Sequence, residues 1–272
     1  MKLSLDSLTL TDTEPTELIR AAKSAGFDQV SLWVQPPPIF PKQLVTPANA
    51  KACMAALADT GMTVGALEVF VLSSAEAVES YRPAMELGAR LGGKTASSIN
   101  VGNADPVKVG ELFAQFAELA REYGLGATHE PLAMFETKTV AQAREVVRAA
   151  RMDAGIVVDA FHVVRAGGTA ADVRALDPKL IWHVQLCDGP AAVPPEGASY
   201  ESTCERLYPG DGEFGLAELF RDAPTDVSWG IEAPSVRRAK AGMSAEQQAH
   251  EAMAAMLRVI DQIPAAKKSL GR

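Results

Sequence analysis

The stretch LIWHVQLCDG, residues 180–189, decides how the rest of the chain is understood. Its apolar run is too short for a helix, and a Pro- and Gly-rich stretch follows it, so it is predicted to be a buried strand leading into a loop. Side chains alternate faces along a strand. His183 and Gln185 therefore share one face, while Trp182 and Val184 point the other way, towards covering helices.

Working outward, seven similar runs precede or follow it: 3–8, 28–34, 63–70, 96–101, 126–130, 154–159 and 227–232. Amphipathic stretches lie between them, at 15–26, 48–61, 75–92, 107–124, 139–151, 169–176, 216–223 and 244–260. Strands separated by helices pair in parallel, and eight strand–helix units in one chain of 272 residues predict a single-domain α/β (β/α)₈ TIM barrel over 1–272. A doubly wound open sheet is the alternative, but no GxGxxG or GxxxxGK turn follows any of the runs.

Composition narrows the function. A net charge of −8 argues against nucleic acid, which is bound largely through Lys and Arg. No apolar run is long enough to span a bilayer, and the first fifteen residues, which have no apolar core, are not expected to act as a signal peptide. Three scattered cysteines fit a reducing cytoplasm and no disulfide framework. The expected partner is a small-molecule substrate.

In a TIM barrel the chemistry sits at the C-terminal ends of the strands. The last four runs end on, or next to, Glu130, Asp159, Gln185 and Glu232. Taken singly, Asp159 could be a helix N-cap, Glu130 and Glu232 loop acids, and Gln185 a core amide. Converging at one rim, the four predict a metal site, and all-oxygen ligation favours Mn²⁺ or Mg²⁺. His162 is the foremost candidate for a substrate contact. His183, one layer deeper, either hydrogen-bonds a ligand or is a satisfied buried histidine. His129 is expected to face the helices and His250 the solvent. The segment 188–213 has no apolar period and is expected to be a lid loop, carrying Tyr200, Tyr208 and Arg206, the last a candidate substrate contact.

With these residues in view, the chain resembles the sugar phosphate isomerase/epimerase superfamily of xylose isomerase-like TIM barrels. The resemblance is strongest in HEPL (129–132), VVDAFHVVRAGG (157–168), IWHVQLCDG (181–189), RLYPGDGEF (206–214) and GIEAPS (230–235). It implies metal ligation by Glu130, Asp159, Gln185 and Glu232, and substrate contacts from His162 and Arg206. The HVQ form is similar to hydroxypyruvate isomerase-like members. The chain departs from the sugar epimerases where strand two ends in LWVQPPP, which predicts an apolar substrate wall at Trp33, and where strand four lacks a histidine. Four histidines are too few for the trinuclear zinc site of the endonuclease IV branch.

The expected activity is metal-dependent isomerisation or epimerisation of a small sugar or hydroxy-carbonyl compound through an enediolate, with Glu130 and Glu232 as base and acid. β-Elimination by a dehydratase or lyase at the same site is the alternative, and a non-catalytic binding barrel is a third. The resemblance also allows a homo-oligomer.

Overall fold

A computed structural model describes residues 1–36 and 38–271. Eight parallel strands close into a barrel in chain order: β1 Lys2–Leu5, β2 Gln29–Trp33, β3 Thr63–Val71, β4 Thr95–Ile99, β5 Gly126–His129, β6 Gly155–Asp159, β7 Ile181–Leu186 and β8 Ser228–Ile231. The predicted TIM barrel is thus the observed fold, and the ring closes where β8 pairs with β1. Each predicted run holds one strand to within one or two residues except the first, whose strand stops at Leu5, three residues early, before the 3₁₀ turn Ser7–Thr9.

The intervening helices bury one stripe each against the barrel. Pro15–Ala25 starts with Pro at its first turn, where no N–H is needed, and stops at Gly26, whose φ of +87° suits a residue without Cβ. Leu18 and Ile19, four and three residues before Ala22, form its buried stripe with it. The longest helix, Pro106–Glu122, buries Phe113 and Phe116 in the same way. The single helix predicted over 75–92 is two, Ala75–Glu79 and Arg82–Arg90. Pro83 cannot continue a helix from before it, and Tyr81 docks the break on β3, its hydroxyl donating to Val71 O at 2.6 Å.

Two features of the sheet matter for the site. The ladder between β3 and β4 slips by one residue between Leu67 and Phe70, a bulge that places one extra residue in β3. Gly230 in β8 leaves a gap in the barrel interior. A Cβ there would lie 2.3 Å from Asp6 Oδ2 and 2.6 Å from His183 Nε2.

Candidate active site

The ladder registers set the ends of the last four strands beside one another. Asp159 pairs with Gln185, and Gln185 with Gly230, two residues before Glu232. Backbone N–H groups just past the strands hold two acids at the rim: Glu130 donates to Ser98 O at 2.9 Å and Glu232 to Leu186 O at 3.0 Å. All four side chains are buried. Asp159 both lies in the acidic cluster and caps the helix Ala160–Arg165, accepting from Phe161 N at 2.6 Å. Carboxylate oxygens of Glu130 and Asp159 and a ring nitrogen of His162 all lie within 4.8 Å of one another.

Gln185 sits on a hydrogen-bonded floor. Its Nε2 donates to Asp6 Oδ2 at 3.1 Å and to Glu232 Oε1 at 3.2 Å. With both donors directed at carboxylates the amide cannot turn over, because its oxygen would then face two anions. Gln185 Oε1 is left buried without a partner. Such a group costs on the order of 1–3 kcal/mol unless something positive or donating meets it. An unpaired amide oxygen beside buried carboxylates is a donor set that fits a divalent cation.

His183 lies beneath, as alternation requires, with its Nε2 2.9 Å from Asp6 Oδ2. Burial opposes charging this imidazole, but Asp6 outweighs it and raises the pKa above the ordinary value. His162 differs. Ala133 N donates to its Nδ1 at 3.3 Å, so the ring proton sits on Nε2, 3.8 Å from Glu130 Oε1. Burial drives its pKa down to about 3, so the ring is neutral and offers a donor rather than a lone pair. His129 faces the helices, its ring 5.6 Å from that of Phe113, and His250 is exposed. Burial, reinforced by neighbouring charge, pushes the Glu130 carboxyl well above the usual carboxylate range. Glu232 is raised likewise by burial, against the opposing charge of Arg206. Burial also works against ionisation of Asp159, but the Arg206 guanidinium beside it holds it below its usual value.

Arg206 is not on a solvated lid. It is only 1% exposed, and its Nη1 donates to Asp159 Oδ2 at 2.7 Å and to Glu232 O at 3.1 Å, with Glu232 Oε2 also at 3.1 Å. Its Nε donates to Ser202 O at 2.7 Å, and the guanidinium lies 4.7 Å from the centre of the Phe161 ring.

The segment 188–213 likewise departs from the expected open loop. It contains a helix, Ala198–Cys204, and Asp188 staples its base by accepting from Gly210 N and Phe214 N, each at 3.0 Å. Glu201, buried in that helix, receives Arg165 Nε at 2.8 Å. The apparent lack of period reflects a turn of helix that buries a charged pair instead of an apolar stripe.

A cavity of about 300 Å³ opens above these groups. Glu130, His162, Arg206 and Glu232 line it, with Ser199, Ser202 and Thr203 from the roofing segment. Trp33, Leu8, Val69, Ile99, Leu132 and Phe135 form apolar walls, in line with the prediction from the end of strand two. Of the prolines there, Pro37 lies outside the described residues. Neither Tyr200 nor Tyr208 is among the described residues lining the cavity; the Tyr208 hydroxyl donates to Gln248 O at 3.1 Å. Two polar residues escaped the sequence analysis, Asp6 just past β1 and Glu68 within β3. An acid closing the apolar LSL of the first run was the available signal for Asp6.

Comparison with known proteins agrees with this arrangement. The family of xylose isomerase-like TIM barrels matches residues 19–259. A 3-dehydroshikimate dehydratase of Pseudomonas aeruginosa is 30% identical over 115 residues, or 42% of this chain, and the match spans only 18% of that enzyme's length. Among solved structures, a fusion of a xylose isomerase-like TIM barrel with a 4-hydroxyphenylpyruvate dioxygenase superposes with a TM-score of 0.84 at 21% identity, covering all of this chain and 44% of the fusion. The IolI protein, solved with a zinc atom, gives a TM-score of 0.79 at 18% identity, covering 97% of this chain and 99% of IolI. The closed barrel, the acids at its rim and the match over residues 19–259 make this chain a member of the xylose isomerase-like TIM barrel family.

Proposed function

We propose that the protein is a divalent-metal-dependent isomerase or epimerase of a small sugar or hydroxy-carbonyl compound, with Glu130, Asp159, Gln185 and Glu232 as metal ligands. The observation that carries this is the buried, unpaired Gln185 Oε1 beside the carboxylates. Carboxylate and amide oxygens are hard donors and favour Mn²⁺ or Mg²⁺. A bound ion would supply Lewis-acid polarisation of the substrate's carbonyl and adjacent hydroxyl oxygens.

The residues supply the rest. Glu130 and Glu232 approach from β5 and β8, and one removes the proton between the two oxygens while the other returns it. Burial favours the protonated form of both carboxyls, which suits them to exchanging protons with the substrate. His162 Nε2–H donates to a substrate oxygen. Arg206 holds Asp159 and Glu232 in place and stabilises negative charge developing on the enediolate. The apolar walls keep bulk water from that charge.

The test is turnover of a ketose panel with Mn²⁺ or Mg²⁺. Activity abolished by EDTA and restored by either ion is expected, as is a loss of about 10²-fold or more in Glu232→Gln. Full activity of that variant would remove Glu232 from proton transfer.

The likeness to a dehydratase favours a second reading, β-elimination after the same proton abstraction. Product mass separates the two, since elimination loses water or a leaving group and isomerisation loses nothing.

A further inference from the structure

The mechanism leaves Glu68 unused, although it lines the cavity and is only 6% exposed. Its position is built. β3 stands opposite β7 in a ring of eight, so Glu68 faces the site from across the barrel. Leu67 points to the helices, where it meets the Gly88 and Gly93 positions, and Phe70 does the same, its ring edge-on to Tyr81 and tilted against Phe116. The bulge between them lets Glu68 and Val69 both line the cavity, a re-aiming that a regular strand would not allow. Ser7 fixes the carboxyl, its Oγ donating to Glu68 Oε2 at 3.0 Å, while Ser7 N donates to Ser31 Oγ at 2.7 Å.

The charges around it are unequal. Arg206 is the only Arg or Lys among the described residues lining the cavity, and Asp159, Glu232 and Ser202 occupy it. His162 is neutral. A divalent ion together with Arg206 matches the three carboxylates of Glu130, Asp159 and Glu232, leaving no cationic partner for a further anion. The wall opposite the ligands carries an acid.

We propose that Glu68 is a specificity-determining residue that accepts a neutral hydroxyl or carbonyl group at the end of the substrate remote from Glu130 and Glu232, and rejects a carboxylate or phosphate there. The proposal rests on the metal-dependent reading above and narrows its substrate class to uncharged hydroxy-carbonyl compounds. Burial, with the nearby Asp6, raises Glu68 to about 7, so this carboxyl can donate as well as accept near neutrality. A substrate anion would have to be buried against it unpaired.

The experiment compares D-fructose with D-fructose 6-phosphate on Mn²⁺-loaded protein, reading displacement of metal-bound water by proton relaxation, which needs no turnover. Wild type should bind the neutral ketose at least tenfold more tightly. That ratio should shrink in Glu68→Gln, which can keep the Ser7 contact, and shrink further or invert in Glu68→Lys, with thermal melts confirming that both variants fold. Equal or tighter binding of the phosphate by wild type, or a ratio unmoved in both variants, overturns the proposal and leaves the metal reading intact. Failure of Mn²⁺ to bind, or of either ketose to reach bound Mn²⁺, overturns both.

Discussion

Asp6 and Gln185 are joined across the seam of the barrel, Gln185 Nε2 donating to Asp6 Oδ2 at 3.1 Å. The contact comes from the first strand and the seventh, and it fixes which end of the amide faces the site. Asp6 also anchors His183. Asp6→Asn is therefore expected to release the amide and weaken Mn²⁺ binding by about 10–100-fold, as loss of a partner that orients a metal ligand does. Calorimetric titration with Mn²⁺ checks this, and an unchanged affinity would mean that Gln185 is oriented without Asp6.

Gly230 makes room for that same pair. Adding a methyl at 2.3 Å from Asp6 Oδ2 forces the carboxylate or the strand aside. Gly230→Ala should lose about 1–3 kcal/mol of stability, the usual cost of overpacking, seen as a lower urea midpoint, and should weaken Mn²⁺ binding in parallel.

The pH dependence of stability has a definite sign. Glu68 is raised from 4.5 to about 7 in the folded protein. Between those values the folded form keeps a proton that the unfolded chain has released. Its contribution is complete below pH 4.5 and is lost as pH rises through 7, up to about 3 kcal/mol in all. With EDTA present, denaturant melts of wild type should weaken over that window, while Glu68→Gln stays flatter and is the more stable of the two at pH 8.

The roof over the cavity depends on a buried charge pair. Arg165 and Glu201 are both nearly inaccessible, and Arg165 Nη2 also donates to Pro190 O at 2.9 Å. Removing one member leaves the other buried and unpaired, at a cost of about 3–5 kcal/mol. Glu201→Leu should lower the melting temperature and speed amide exchange in 190–206 more than elsewhere. Uniform protection across the molecule would show that other contacts hold the roof.

The barrel was legible because its signals are local. Alternating apolar runs and helical stripes each predict one element, and parallel connection follows from their order. The rim residues Glu130, Asp159, Gln185 and Glu232 were legible for a related reason, each standing at or beside the end of an apolar strand. What was hidden depends on contacts distant in sequence. Asp6 acquires its role from residues 177 and 179 positions away. Glu68 shares the cavity face with Val69 through a bulge that leaves no pattern in VGALEVF. The segment 188–213 conceals a helix whose buried face is Glu201 and Ser202, so a search for apolar period finds none. Arg206 was expected on a lid loop, as a substrate contact, because it lies in a Gly- and Pro-rich segment, yet three buried partners draw it in.

Arg206 has one more consequence, concerning assembly. A guanidinium keeps its charge at every pH at which the chain is folded. Asp159 and Glu232 consequently have a counter-ion supplied by the polypeptide itself. Acids that would otherwise repel one another during collapse are held together by a covalently tethered cation. On the proposed metal-dependent reading, folding would therefore not wait for the ion, unlike that of small zinc modules, which are unfolded without metal.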